Sequence, residues 1–201
     1  MSTVIVDSGG ANLASLVYAL ARLGVSARVS RDPEVIAAAD RVLLPGVGAA
    51  DAIMQRLSAA QLIEVLRSLQ CPVLGICLGM QLLFDSSSEG DTSTLAIIPG
   101  RIERLSPAPG LPVPHMGWNT LELQGSDPLL EGIEQTDRCY FVHSYYLPAT
   151  HPAVIATANY GVGVAAAVRR ENFRGVQFHP ERSGHVGRKI LENFLRLGPC
   201  C

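Results

Sequence analysis

The chain has 201 residues, enough for one domain with a complete hydrophobic core, read here as a single unit over residues 1–201. Hydrophobic residues make up 48% and the formal net charge is −2, so no basic footprint for nucleic acid is present. No apolar run reaches bilayer-spanning length, and the five cysteines (Cys71, Cys77, Cys139, Cys200, Cys201) show neither C-x-x-C pairing nor His/Cys metal spacing.

Taken in order, Val4–Val6 reads as a short strand ending at Asp7, followed by a glycine turn through Asn12. Neither G-x-G-x-x-G nor G-K-S/T follows Gly9–Gly10, so the turn is not read as a phosphate loop. Leu13, Leu16, Val17, Leu20 and Leu23 recur at helical spacing, and Gly24 stops that helix. Residues 26–30 form a second strand candidate, and Asp32-Pro33 opens a short helix with Asp32 as N-cap. Residues 41–44 form a third strand, ended by Pro45-Gly46-Val47-Gly48. A helix is expected over 51–69, then a buried strand over 73–76 and a helix starting at Leu78.

Strands alternating with helices predict an α/β fold: a mostly parallel central sheet with helices on both faces. Residues 86–94 are polar and lack period, so they are expected to be a surface loop. Strand candidates at 101–105, 120–123, 140–142, 154–157 and 165–168 are joined by Pro- and Gly-rich turns, which predicts an antiparallel extension along one side. Residues 187–197 form a closing helix. The odd cysteine count and the absence of a signal peptide place the chain in a reducing cytoplasm, and no cofactor is expected.

The chemistry centres on Gly75-Ile76-Cys77-Leu78-Gly79. A lone cysteine is most often a small core hydrophobe. Here glycines on both sides allow a sharp strand-to-helix turn, the form of a nucleophile elbow. Such a turn exposes the sulfur at the carboxyl end of the strand, near helix N–H groups that favour a thiolate. The downstream partner is Gln177-Phe178-His179-Pro180-Glu181. Pro180 biases His179 to extended backbone, where residues two apart face the same way. Cys77, His179 and Glu181 then form a nucleophile, a base and an orienting carboxylate. Pro45–Gly48 lies at another strand end, where its backbone N–H groups, with that of Leu78, form a candidate oxyanion hole. His143 has no carboxylate in fixed relation to it and is read as structural or substrate-lining. His151 and His185 lie in expected turns. Trp118 reads equally well as core or as an exposed anchor.

These motifs resemble the class I (triad) glutamine amidotransferases. Pro45–Gly48, Pro114-His115-Met116-Gly117-Trp118-Asn119, Tyr140-Phe141-Val142-His143-Ser144-Tyr145 and residues 178–184 also make the chain similar to one branch, the glutaminase subunits of imidazole glycerol phosphate synthases. The resemblance implies that Cys77 attacks the glutamine side-chain amide. His179 shuttles the proton to the leaving ammonia, Glu181 orients His179, and water resolves a γ-glutamyl thioester. It implies oxyanion donors among Gly46, Val47, Gly48 and Leu78, with glutamine held by Gln81, His143, Ser144 and Tyr145. It implies a heterodimer with a (βα)8-barrel cyclase subunit, contacted through Asn12, Trp118, Tyr140 and Arg182. Ammonia passing to that partner yields imidazole glycerol phosphate and an aminoimidazole carboxamide ribotide, in histidine biosynthesis. It further implies a resting peptide at Gly46-Val47 whose N–H points away from Cys77 until the loaded partner turns it.

The chain departs from many relatives at Ser8, at Ala49-Ala50, and at Arg182, where some carry lysine. The rival readings are a glutaminase for another synthase, such as those serving pyridoxal phosphate or anthranilate, a non-catalytic interaction subunit with a relic triad, and a cysteine protease of similar fold. The Trp118 motif and Pro45–Gly48 argue against the first, and the complete triad against the second.

Overall fold

The computed structural model describes residues 1–9 and 13–198. Its core is an eight-stranded sheet whose first half alternates with helices. The elements of that half are β1 (Thr3–Val6), α1 (Leu13–Ala21), β2 (Ala27–Ser30), α2 (Pro33–Ala37) and β3 (Arg41–Gly46). They continue with α3 (Ala50–Ala59), α4 (Leu62–Ser68), β4 (Val73–Cys77) and α5 (Leu78–Gln81). Smaller strands follow: β5 (Ser86–Ser87), β6 (Thr92–Ser93), β7 (Arg101–Arg104), β8 (His115–Thr120), β9 (Glu122–Leu123), β10 (Arg138–His143) and β11 (Tyr145–Tyr146). The chain closes with β12 (Val154–Asn159), β13 (Gly163–Arg170), β14 (Phe173–Val176) and α6 (Gly184–Arg196).

The strand order is β2-β1-β3-β4-β14-β13-β12-β9. The pairings from β2 through β14 are parallel, and β13, β12 and β9 extend the sheet antiparallel. The mixed α/β architecture expected from the alternation is therefore present. Strand alternation supplies two core layers. Val4, Val6, Val42 and Leu44 pack with Ile36, Ile53, Leu57, Leu62 and Leu66 of α2, α3 and α4. Ile5, Leu43, Leu74 and Ile76 pack with Leu16 and Leu20 of α1 and with Ile190, Leu191 and Phe194 of α6. Asp32 caps α2 as expected, accepting from the Glu34 N–H at 3.0 Å. Among the described residues no helix is long and apolar enough to cross a membrane.

Several boundaries differ from the sequence reading. The helix expected over 51–69 breaks at Gln61, which takes φ 57°. Leu57 and Leu62 are both fully buried yet five residues apart, a spacing that one straight helix would place on different faces. The break restores Leu62 and Leu66 to the core. β3 continues through Pro45 to Gly46, past the expected end at Leu44, because only β4 pairs with its last residues. Pro45 therefore gives up no ladder hydrogen bond on the β1 side. The helix expected from Leu78 ends at Gln81, and Leu82, Leu83 and Phe84 are all fully buried.

Residues 86–94 are not simply a loop: β5 and β6 join a four-stranded sheet in the order β11-β7-β5-β6. Two-residue strands leave no periodic trace in a sequence. β8, which carries the Trp118 motif, pairs antiparallel with β10 in a separate two-stranded sheet. The antiparallel part is therefore divided between the main sheet and two small ones. β14 ends at Val176, so Phe178 lies beyond it. α6 begins at Gly184, which places His185 in its first turn rather than in a loop.

Candidate active site

The carboxyl ends of β1, β3, β4 and β14 converge, and the chemistry-bearing residues lie just beyond them. β4 runs between β3 and β14, with Gly46 opposite Cys77 and Val176 opposite Ile76. Cys77 takes φ 55° and ψ −114°, a conformation costing roughly 1–3 kcal/mol for a non-glycine residue. The two flanking strands hold it there. Gly79 lets the elbow touch β3: a Cβ at residue 79 would lie 1.7 Å from the Leu44 carbonyl oxygen.

His179 is extended as expected, at φ −99° and ψ 99°, and it meets Glu181 through the turn that follows rather than along extended chain. Residues 180–182 form a 3-10 turn, and His179 Nδ1 lies 2.8 Å from Glu181 Oε1. The turn is tied down at three points. The His179 N–H donates to Tyr140 O at 2.9 Å, the Tyr140 N–H to Ser183 Oγ at 3.0 Å, and Ser183 Oγ–H to His179 O at 2.7 Å. β10 thus fixes the height of the imidazole. Pro180 supplies φ for the first position of that turn.

Cys77, His179 and Glu181 are nearly buried. Among the described residues, His179 Nε2 and Glu181 Oε2 have no hydrogen-bond partner. Burial pulls the His179 pKa down, but Cys77 and Glu181 beside it outweigh burial and raise it to about 10. His179 is therefore an imidazolium at neutral pH. Glu181 fixes Nδ1 as the nitrogen bonded to the carboxylate, which leaves Nε2 for the reacting atoms.

Cys77 and His179 line a hollow of about 330 Å³ with Val47, Gly48, Leu78, Gln81, His143, Ser144 and Tyr145. The structure therefore brings together all the expected substrate-lining residues and three of the four oxyanion candidates. Gly46 instead lines a second hollow of about 140 Å³, with Glu181 and Arg182. His143 is held by its neighbours: Nδ1–H donates to Tyr145 O at 2.9 Å, and Nε2 accepts from His115 Nδ1 at 2.9 Å. Burial pushes His115 to about 4 and His143 to about 3, so both are neutral at physiological pH.

The interface candidates cluster as well. Trp118 is 55% exposed, its ring 5.9 Å from that of Tyr140, and the Arg182 guanidinium sits 4.5 Å over the Tyr140 ring. Register explains the pairing, since Trp118 lies opposite Tyr140. The core reading of Trp118 is thereby excluded. Asn12, the fourth interface candidate, and Cys200 and Cys201 lie outside the described residues.

Sequence reasoning missed Glu89, Pro114 and Val142 as lining residues. Glu89 also accepts the Ala50 N–H at 2.8 Å, at the start of α3. Nothing in the aperiodic 86–94 stretch marks it. Gln177 was visible as part of a motif but carried no assigned role. It is fully buried beside the Cys77 sulfur.

A model of the class-I glutamine amidotransferase family matches residues 4–197. The imidazole glycerol phosphate synthase subunit HisH of Xanthomonas campestris pv. campestris (strain 8004) is 51% identical over 194 residues, covering 96% of each chain. The HisH subunit of Idiomarina loihiensis is 50% identical over 200 residues, covering 100% of each. A crystallised glutamine amidotransferase at 18% identity shares the fold, with a TM-score of 0.76 over 97% of each chain. A cysteine elbow facing a His–Glu pair, on a sheet matched from end to end, leaves one assignment: the chain belongs to the class-I glutamine amidotransferase family, in its HisH branch.

Proposed function

We infer that this chain is the glutaminase subunit of an imidazole glycerol phosphate synthase, acting in histidine biosynthesis with a cyclase subunit as its partner. The observation that carries the chemistry is the placement of Cys77 and His179 on the lining of a hollow large enough for a small amino acid, with Glu181 bonded to His179 from outside it. Glutamine enters that hollow with its side-chain amide over Cys77. The sulfur attacks the amide carbon, and the imidazolium at His179 gives its Nε2 proton to the departing nitrogen. Ammonia leaves, and a γ-glutamyl thioester remains on Cys77. His179 then takes a proton from water, which attacks the thioester and frees glutamate. Val47, Gly48 and Leu78 supply the backbone donors for the oxyanion. Gln81 and the 143–145 segment hold the substrate.

The chain acts as a single amidotransferase domain, and its three described cysteines, all free, favour a reducing cytoplasm. Trp118, Tyr140 and Arg182 face the cyclase. The test is labelling with the glutamine analogue 6-diazo-5-oxo-norleucine, together with glutamate release from the free chain, the cyclase complex and the ligand-loaded complex. Burial raises the Cys71 thiol and pushes Cys139 up to about 12, so neither competes well for the label. Labelling of Cys77 is expected. Cys77→Ser should lose glutamine-dependent synthesis and keep synthesis from added ammonia. Label on another cysteine with Cys77 untouched would sink the assignment.

A further inference from the structure

We propose that Gln177 is a positioning residue for the nucleophile, because the Tyr145 carbonyl, acting through Gln81, compels the Gln177 amide to present an N–H to the Cys77 sulfur. The inference rests on Cys77 being the nucleophile, and it concerns how that sulfur is held and polarised.

Gln81 Nε2 lies 2.8 Å from Tyr145 O and 2.9 Å from Gln177 Oε1. A backbone carbonyl only accepts, so the Gln81 group facing it must be its NH2. That NH2 spends its two hydrogens, one on Tyr145 O and one on Gln177. The Gln177 atom facing it must therefore be the oxygen. The opposite end of the same amide, Nε2, is then turned to Cys77 Sγ at 3.7 Å. Reversing Gln177 would set two NH2 groups against each other and an oxygen against the sulfur. Reversing Gln81 as well would set its oxygen against the Tyr145 carbonyl. One carbonyl thus fixes the polarity of both amides.

The surroundings prevent escape from this arrangement. Gln177 is fully buried and Gln81 is 3% exposed, so water is not at hand to satisfy a reversed amide. Tyr145 O accepts a second hydrogen bond, from His143 Nδ1 at 2.9 Å, which anchors it. In the thiol form the sulfur donates to Val142 O at 3.8 Å, and on ionisation the Gln177 N–H remains as its partner. Besides Cys77 itself, the titratable groups around the hollow are His179 with its partner Glu181, His143, Tyr145 and Glu89. His143 stays neutral, so it adds no charge of its own. Gln177 is therefore a fixed, uncharged donor at the sulfur, alongside the imidazolium of His179.

The experiment follows the rate of iodoacetamide alkylation of Cys77 against pH, by mass spectrometry, on the full chain. Gln177→Met keeps bulk and removes the donor. Gln81→Met leaves residue 177 intact but releases its polarity. Losing a hydrogen bond to a charged group should move the inflection for Gln177→Met upward by about one to two pH units. Gln81→Met should shift the inflection in the same direction by a smaller amount, although residue 81 donates nothing to the sulfur. Gln177→Glu, which offers an oxygen and a charge, should shift it furthest. If Gln177→Met fails to fold, Gln81→Met carries the test. Inflections coincident with wild type in the folded Met variants, with Cys77 still the residue labelled by 6-diazo-5-oxo-norleucine, would overturn the proposal alone. Failure of the wild-type chain to be labelled at Cys77 would overturn the nucleophile assignment and this inference with it.

Discussion

Gly79→Ala probes the closest approach in the molecule's catalytic half. The added Cβ falls 1.7 Å from Leu44 O and 2.8 Å from the Leu44 carbonyl carbon, where ordinary contact begins at 3.4 Å. β3 or the elbow must yield by about as much again. Neither yields easily, since Leu44 is fully buried and paired with Gly75, and Gly46 is paired with Cys77. Helix propensity alone favours alanine by about 1 kcal/mol, so the two effects oppose each other in sign. Overpacking against a paired central strand should win, with a net loss of about 3 kcal/mol. In urea that is a fall in midpoint of roughly 1–2 M for a slope near 2 kcal/mol per M. Glutamate release from the cyclase complex should fall about a hundredfold, because an ångström-scale shift at the end of β3 would misplace the proposed oxyanion donors Val47 and Gly48. Gly198→Ala, with none of the described residues within 4 Å of the new Cβ, is the control. Stability of Gly79→Ala within about 0.5 kcal/mol of that control would refute the close-contact reasoning.

Three further outcomes are expected. His179 holds its proton more tightly when folded, so its contribution to stability is complete below about pH 6.5 and is lost as pH rises through about 10. Its imidazole resonance should therefore stay in the protonated position at pH 8, and a midpoint near 6.5 would contradict the arrangement. Arg174→Met strips a buried guanidinium, its Nε 3.0 Å from Asp127 Oδ1, from a carboxylate with no solvent exposure. Denaturation should show a loss of about 3 kcal/mol, partly offset by Arg169, and a loss under 1 kcal/mol would show the pair to be dispensable. Trp118→Ala should fold normally and weaken cyclase binding by about 2 kcal/mol in calorimetry, and unchanged affinity would remove Trp118 from the interface.

The parallel half of the fold and the cysteine elbow were legible because buried strands and amphipathic helices leave strong periods, and because glycines flank Cys77. The His179–Glu181 contact was legible in part: His179 is extended, as the following proline predicts, but Pro180 then opens a 3-10 turn held by Ser183 and Tyr140, which no residue spacing announces. What escaped had no local signal. Glu89 sits in a polar stretch whose strands are two residues long. Gln177 sits after a strand like any other polar residue, and only contacts across 96 and 100 positions of sequence reveal its company. The break at Gln61 follows from where the core lies, which a helical period alone does not specify.

The hollow holding Cys77 and the smaller one behind it share Val47, Val142 and His179 as walls. Two of those walls are aliphatic. A glutamate carrying its charges would have to shed water to pass between them, at a cost of several kcal/mol, whereas uncharged ammonia would shed far less. On the proposed function, that partition would sort the two products by charge. Glutamate would return by the route through which glutamine came, and the second hollow, lined by Glu181 and Arg182, would offer ammonia a way towards the face proposed for the cyclase. Protonation of the leaving nitrogen once, and not twice, would then decide which route it takes.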